Sequence, residues 1–147
     1  MVLAITVCIG CTDRDDDPDI RCPVVADKGP DDDITGKWKL LKTEKISSVD
    51  PMLIDFSCDD ITYHFQENGS LMIYSNKNDY VGHPRGDHRY EFIPSPFNQK
   101  THVLAIEGTQ YACIILKENM ELNLEPLSGP LGPMREFRTV LYFIRIQ

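Results

Sequence analysis

The stretch ITYHFQENGSLMIY, residues 61–74, decides the fold of this 147-residue chain. Its first half alternates, with Ile61, Tyr63 and Phe65 on one face of an extended strand and polar side chains on the other. The Asn68-Gly69 pair then separates two β-rich runs, and this pair favours a type I′ hairpin turn, which needs positive φ at both central residues. The stretch therefore predicts two antiparallel strands joined by a tight turn.

Alternating runs of the same kind continue from residue 36 to the end of the chain. Short polar connections separate them, and no segment carries the sustained 3.6-residue apolar repeat of a helix. The sequence therefore predicts an all-β domain, an antiparallel up-and-down meander that closes into a small barrel because closure removes the unpaired edges. The eight predicted strands are residues 36–40, 61–66, 71–74, 88–93, 102–106, 110–116, 120–124 and 136–146.

Closure of the barrel would pair the first strand with the last in antiparallel register. The start of the first strand would then lie beside the end of the last, which brings Trp38 close to Arg145. A guanidinium over an indole face contributes about 1 kcal/mol as a cation–π contact. We therefore predict that Trp38 and Arg145 close one end of the barrel.

Acidic residues are concentrated at the start of the chain. Residues 1–33 hold nine of the 23 acidic residues and three of the 15 basic ones. Self-repulsion and low apolar content predict an acidic, mobile tether over residues 11–33, followed by the folded domain at 34–147. The net charge of −8 argues against nucleic acid as a partner, because phosphate binding needs clustered cations.

Residues 1–10, MVLAITVCIG, are apolar and uncharged and end directly before Cys11. They predict the apolar core of a secretion signal peptide, truncated at its start. The end of this run resembles a bacterial lipobox, which implies that Cys11 is acylated and anchors the chain in the outer membrane, at the cell surface or facing the periplasm. The acidic residues that follow are similar to the export signal of Bacteroidetes surface lipoproteins. The alternative is an apolar N-terminus of a cytosolic protein.

Three motifs resemble the lipocalin superfamily and, within it, the lipocalin-like lipoproteins of the Bacteroidetes. Gly36-Lys37-Trp38 together with Arg145 resembles the Gly-x-Trp motif and its closing arginine. Residues 58–69, CDDITYHFQENG, are similar to the second-strand signature of these lipoproteins, and residues 143–146 to their last strand. The resemblance implies a small extracytoplasmic barrel and no particular activity.

The interior of an eight-stranded barrel is either filled by side chains or holds one small ligand. The inward-facing aromatic residues suit both an apolar pocket and a packed core. Two functions therefore stay open: a module that binds a small apolar or amphipathic ligand, and a filled barrel that contacts a protein or glycan partner. The predicted ligand-contacting residues are Tyr63, Phe65, Tyr90, Phe92, Tyr111 and Leu122.

Residues 46–57 are long for a hairpin connection and apolar for a loop. We interpret this segment as a lid that folds over the barrel mouth, the alternative being a surface loop with incidental packing. The predicted lid residues are Met52, Leu53, Ile54 and Phe56.

Residues 81–87 are rich in Gly and Pro and predict an exposed hairpin tip, where we expect His83 to be solvated or hydrogen-bonded. Three cysteines remain after signal removal and acylation, so at most one internal disulfide forms. We expect Cys58 and Cys113 to be buried free thiols, the alternative being a Cys58–Cys113 bridge. The sequence carries no metal-site spacing and no catalytic motif, so we expect no enzyme activity, no cofactor and no bound metal. We also expect the chain to be a monomer. The three cysteines are Cys22, Cys58 and Cys113.

Overall fold

The structure, a computed structural model, describes residues 19–47, 49–94, 101–127 and 137–147. Within these ranges it consists of nine β-strands and contains no helix, which confirms the predicted all-β class. The strands are β1 (Gly36–Ser47), β2 (Met52–Asp55), β3 (Ile61–Phe65), β4 (Ser70–Ser75), β5 (Gly86–Pro94), β6 (Thr101–Ile106), β7 (Thr109–Leu116), β8 (Asn119–Pro126) and β9 (Phe137–Ile146).

All nine strands belong to one antiparallel sheet, which closes on itself because β1 is hydrogen-bonded to β9. Around the barrel the order is β1, β3, β4, β5, β6, β7, β8 and β9, and β2 lies outside this ring as an extra strand on β1. Closure satisfies the backbone groups that an open meander would leave unpaired at its two edges. The predicted eight-stranded, lipocalin-like barrel is confirmed.

The turn between β3 and β4 is a hairpin turn as predicted, but of another type. Gly69 has a φ of 81°, whereas Asn68 is not among the residues with positive φ, so the turn is not type I′. The Gly69 N–H donates to the carbonyl of Gln66 at 3.1 Å, and the N–H of Gln66 donates to the carbonyl of Ser70 at 2.8 Å. This pattern fits a type I turn followed by a left-handed glycine.

Strand β2 is the strand that the sequence did not predict. Strand β3 pairs only with Gly36–Lys39 of β1, and β2 pairs with the same edge of β1 farther along, at Lys42–Lys45. Without β2, the N–H and C=O groups of that part of β1 would have no strand beside them. The chain therefore turns back after β1 and adds a short strand before it enters β3.

The structure places three of the four predicted lid residues on this strand. Met52, Leu53 and Ile54 lie on β2, at the side of the barrel, and are 48%, 40% and 36% exposed. Phe56 follows directly and is buried in the core, with its backbone N–H donating to the carbonyl of Leu41 at 2.7 Å. Backbone pairing with β1 outweighs the apolar composition on which the lid was predicted.

The interior of the barrel is filled by side chains. Twelve large side chains are each less than 2% exposed. A side chain that borders a void large enough for a water molecule presents accessible surface to that void. These twelve side chains therefore line no internal void of appreciable size. Each such burial contributes about 1.5–3 kcal/mol. The twelve residues are Trp38, Tyr63, Phe65, Phe143, Ile34, Leu40, Ile61, Leu71, Leu104, Ile115, Met120 and Leu122.

Residues 19–35 form a strap that is bonded to the barrel. A disulfide joins Cys22 to Cys58 in the connection between β2 and β3, so the expected free thiol of Cys58 is wrong, whereas Cys113 is a buried free thiol as expected. Arg21 Nε lies 2.9 Å from a carboxylate oxygen of Asp55. This differs from the expected mobile tether, since residues 19–33 of it are held by a covalent bond and by backbone hydrogen bonds that a composition argument does not count. The predicted signal peptide and Cys11 lie outside the described residues.

Truncation of Trp38 tests the filled core. We expect Trp38→Ala to lower the free energy of unfolding by about 3–5 kcal/mol, because it leaves a large cavity and removes the hydrogen bond from Trp38 Nε1 to the carbonyl of Ile34. Urea denaturation measures the change. The matched control is Leu116→Ala at a half-exposed outer position, where we expect a loss below about 1 kcal/mol. Equal losses in the two variants would contradict the assignment of Trp38 to the core.

Candidate functional site

Arg145 and Trp38 lie together at the end of the barrel where the strap crosses. The two residues are partners in the β1–β9 register, and the guanidinium carbon lies 4.4 Å from the centre of the indole ring. The predicted contact between Trp38 and Arg145 is present. Burial lowers the pKa of Arg145, while the carboxylates of Asp33, Asp27 and Asp31 raise it, and an arginine in this balance stays charged.

The guanidinium of Arg145 also holds the strap. Its Nη2 donates to the carbonyls of Asp33 at 2.7 Å and Pro30 at 3.2 Å, and its Nη1 donates to the carbonyl of Thr35 at 3.2 Å. A Cβ at Gly29 would overlap the guanidinium, so a larger residue there would displace Arg145 from this position. These carbonyls face no neighbouring strand, and Arg145 supplies the donors that a sheet would otherwise provide.

The loop between β4 and β5, residues 76–85, closes the other end of the barrel. Alternate connections of an up-and-down barrel lie at opposite ends, which places this loop at the end opposite Arg145 and residues 27–35 of the strap. His83 extends from the loop into the barrel mouth and is only 9% exposed. Its ring stands edge-on to Tyr111 at 5.0 Å and to Tyr63 at 5.9 Å between centroids.

The predicted ligand-contacting residues do not line one pocket. Tyr63 and Tyr111 lie at the mouth, and the ring of His83 contacts both of them. Phe65 packs edge-on against Tyr90 at 5.0 Å between centroids, and Phe92 lies 4.8 Å from His102. Leu122 is fully buried. The structure therefore favours the filled interior of the two alternatives.

The burial of His83 is the feature of this site that sequence reasoning missed. The Gly- and Pro-rich tip is largely exposed and the imidazole is hydrogen-bonded, both as predicted, but the His83 side chain points inward and is buried. The local signal for burial is Gly82, where a Cβ would overlap the Tyr80 ring and approach the Tyr63 hydroxyl to 3.0 Å. That signal cannot be recognised without knowing which strand faces the loop.

A polar groove of about 920 Å³ lies where β5 changes neighbours. Strand β5 pairs with β4 up to Arg89 and with β6 from Tyr90 onward, and the two turns beside this break leave the groove open. The groove is unlike the apolar interior pocket that the sequence suggested. Residues that line it include Asn68, Asp87, Arg89, Glu91, Glu107 and Gln110.

Comparison with known proteins gives no match: no protein family, no curated protein and no solved structure is significantly similar to this chain. Within the described ranges, no group of three or more His, Cys, Asp or Glu side chains is placed to hold a metal ion. The same part of the chain has no helix of the length and apolar character that crossing a bilayer requires.

Replacement of Arg145 by lysine tests its role in holding the strap. We expect Arg145→Lys to lower the free energy of unfolding by about 2–3 kcal/mol, because one ammonium cannot reproduce the planar fork that serves three carbonyls. Urea denaturation measures the loss. Arg89→Lys is the matched control, since Arg89 is exposed. An unchanged denaturation midpoint for Arg145→Lys would show that the strap is held without the guanidinium.

Proposed function

We propose that this chain is an extracytoplasmic, lipocalin-like lipoprotein whose filled barrel binds a partner protein through its outer surface. In this proposal, acylated Cys11 anchors the chain in the outer membrane, and the barrel is a rigid scaffold. The observation that carries the proposal is the packed interior. Ligand pockets usually enclose roughly 300–1,000 Å³, and the large side chains at the centre of this barrel border no such space.

An apolar surface on the outside of β5, β6 and β7 supports binding of a protein. The strand register places Ile93 beside Val103 and Val103 beside Ala112, and Ile114 and Leu116 continue the same face of β7. We name these five residues the β5–β7 patch. Three of its side chains are well exposed: Ile93 at 44%, Ile114 at 38% and Leu116 at 50%.

The surroundings of the β5–β7 patch suit a protein partner better than a glycan. Glu121 lies beside Ile114 in the register of β8, and Glu91 and Gln110 flank Ala105 on the neighbouring strands. An apolar centre with a polar rim is the usual arrangement of a protein–protein interface. Apolar residues that are adjacent on one face also indicate an interaction site more strongly than apolar residues scattered over a surface.

The disulfide supports the proposed location. Disulfides persist in oxidising compartments such as the periplasm and the cell surface, and they are rare in the cytosol. The Cys22–Cys58 bond joins the strap to the barrel, and the strap follows the segment that would carry the acylated cysteine.

Carriage of a small apolar or amphipathic ligand is a second candidate function. One observation favours it: the side chain that fills the mouth belongs to a loop, residues 76–85, and not to a barrel strand. A loop can move without loss of the strand pairing that holds the barrel together.

Site-specific photo-crosslinking separates the two candidates. A crosslinker placed at position 114 is expected to form an adduct with a partner protein in intact cells, because the β5–β7 patch is the proposed interface. The matched control is position 72 on β4, where Met72 is 46% exposed and the neighbouring side chains are polar. Native mass spectrometry of the purified chain is expected to show the bare protein mass. Reproducible additional mass of a small molecule, with no adduct at position 114, would favour the carrier instead.

A further inference from the structure

We propose that loop 76–85 is an acid-released plug of the barrel mouth and that His83 is the group that takes up the proton. This inference goes beyond the proposed function, since it concerns the open end of the barrel and not its outer face. It rests on how the imidazole is buried, on the hydrogen-bonding capacity of its two nitrogens and on the charges of the groups around it.

The inner part of the plug is held to the barrel through His83 and Tyr63, while at its start Asn76 bonds to Asp60 and Lys77 pairs with Asp59. The backbone N–H of His83 donates to the Tyr63 hydroxyl at 2.9 Å, and His83 Nδ1 lies 3.1 Å from the same oxygen. Within the loop, the Tyr80 hydroxyl donates to the carbonyl of His83. The closed loop therefore places a neutral imidazole in a site surrounded by aromatic rings.

A second proton on the imidazole has no acceptor in this site. Nε2 is buried and has no hydrogen-bond partner among the described residues. In the charged imidazole both nitrogens donate: Nδ1–H can donate to the Tyr63 hydroxyl, which then no longer donates to Nδ1, and Nε2–H meets no acceptor in the described part of the chain. With either starting tautomer, the closed state therefore holds a charged imidazole with an N–H donor that has no acceptor, which is costly.

The groups that face the imidazole offer it no negative charge. They are Tyr63 from β3, Tyr111 from β7, Tyr80 from the loop itself and His88 from β5. In the described part of the chain, no carboxylate lies within ion-pair distance of His83. Burial raises the pKa of Tyr63 well above 10, so this phenol stays neutral. Burial, and secondarily the nearby His88, lower the pKa of His83 to about 4.

The sign of the pH dependence follows from this shift. The pKa of the imidazole is 6.5 when the loop is open and solvated and about 4 when the loop is closed. Closure is therefore fully favoured above pH 6.5 and is lost as the pH falls from 6.5 through 4. Relative to pH 7, the ratio of closed to open loop should fall about 20-fold by pH 5 and about 100-fold by pH 4.

Release of the loop would require little change in the barrel. Gly86, the first residue of β5, has a φ of 118°, a conformation that suits a glycine hinge. Arg85 bonds the carbonyl of Ser75 and the side chain of Asn78, and these bonds lie at the base of the loop. Opening would expose the rings of Tyr63 and Tyr111, two of the residues that the sequence predicts to contact an apolar ligand.

Hydrogen–deuterium exchange of the full chain at pH 7, 5 and 4, corrected for the intrinsic exchange rate, tests the proposal. Exchange from loop 76–85 is expected to show an opening that increases about 20-fold between pH 7 and 5, while the amides of β8 and β9 stay protected. His83→Gln does not titrate, so its loop opening should not change with pH. The matched control, His64→Gln on the outer part of β3, should behave as the unaltered protein does.

Three results would overturn the proposal. They are loop opening independent of pH in the unaltered protein, pH-dependent opening that persists in His83→Gln, and exchange from β8 and β9 that rises together with the loop. If His83→Gln does not fold, NMR titration of the His83 Cε1 proton in the unaltered protein decides: a midpoint near 4 supports the plug, and one near 6.5 contradicts it.

Discussion

The antiparallel pairing of β1 with β9 is the constraint on which the rest of the structure depends. It joins the first strand of the domain to the last, so that every strand of the ring has a paired strand on each side. Because β1 and β9 are neighbours, Trp38 and Arg145 also become neighbours, and the guanidinium can cover the indole. Opening this seam would expose the packed interior along its whole length.

Arg145 connects the closure of the barrel with the position of the strap. The strap lies outside the strands, so its carbonyls are not part of the hydrogen-bond ladder of the sheet. The fork of the guanidinium supplies donors to Asp33, Pro30 and Thr35 while its face stacks on Trp38. One side chain therefore contributes to the core, to the seam and to the N-terminal segment.

The parts of the fold that were predictable are those that neighbouring residues determine. Alternation at residues 61–74 predicts β3 and β4, and meander topology alone predicts the proximity of Trp38 and Arg145. Strand β2 was not predictable, because its MLID sequence lacks alternation and its partner is the part of β1 that β3 leaves uncovered. The disulfide pairing was not predictable either, because three cysteines allow several pairings and only the path of the strap selects Cys22 and Cys58.

The candidate site was predictable in part. Sequence alternation places Tyr63 and Tyr111 inside the barrel, but it contains no information on whether a ligand or a side chain of the protein lies between them. Burial of His83 depends on a contact between a loop and a distant strand. Gly82 permits that contact, but a glycine at this position does not by itself predict it. A Gly- and Pro-rich loop is normally exposed, and most of this loop is exposed, but the His83 side chain packs inward against the aromatic rings of the mouth.

Closure of the barrel is the central structural feature, and nuclear Overhauser effects across the strands of the folded chain test it. Residues 37–39 of β1 pair on one side with 62–64 of β3 and on the other with 144–146 of β9. The account predicts backbone proton contacts from residues 37–39 to both segments in the same sample. Contacts to β3 alone, with none to β9, would describe an open sheet and would contradict the closed barrel, the seam and the filled interior together.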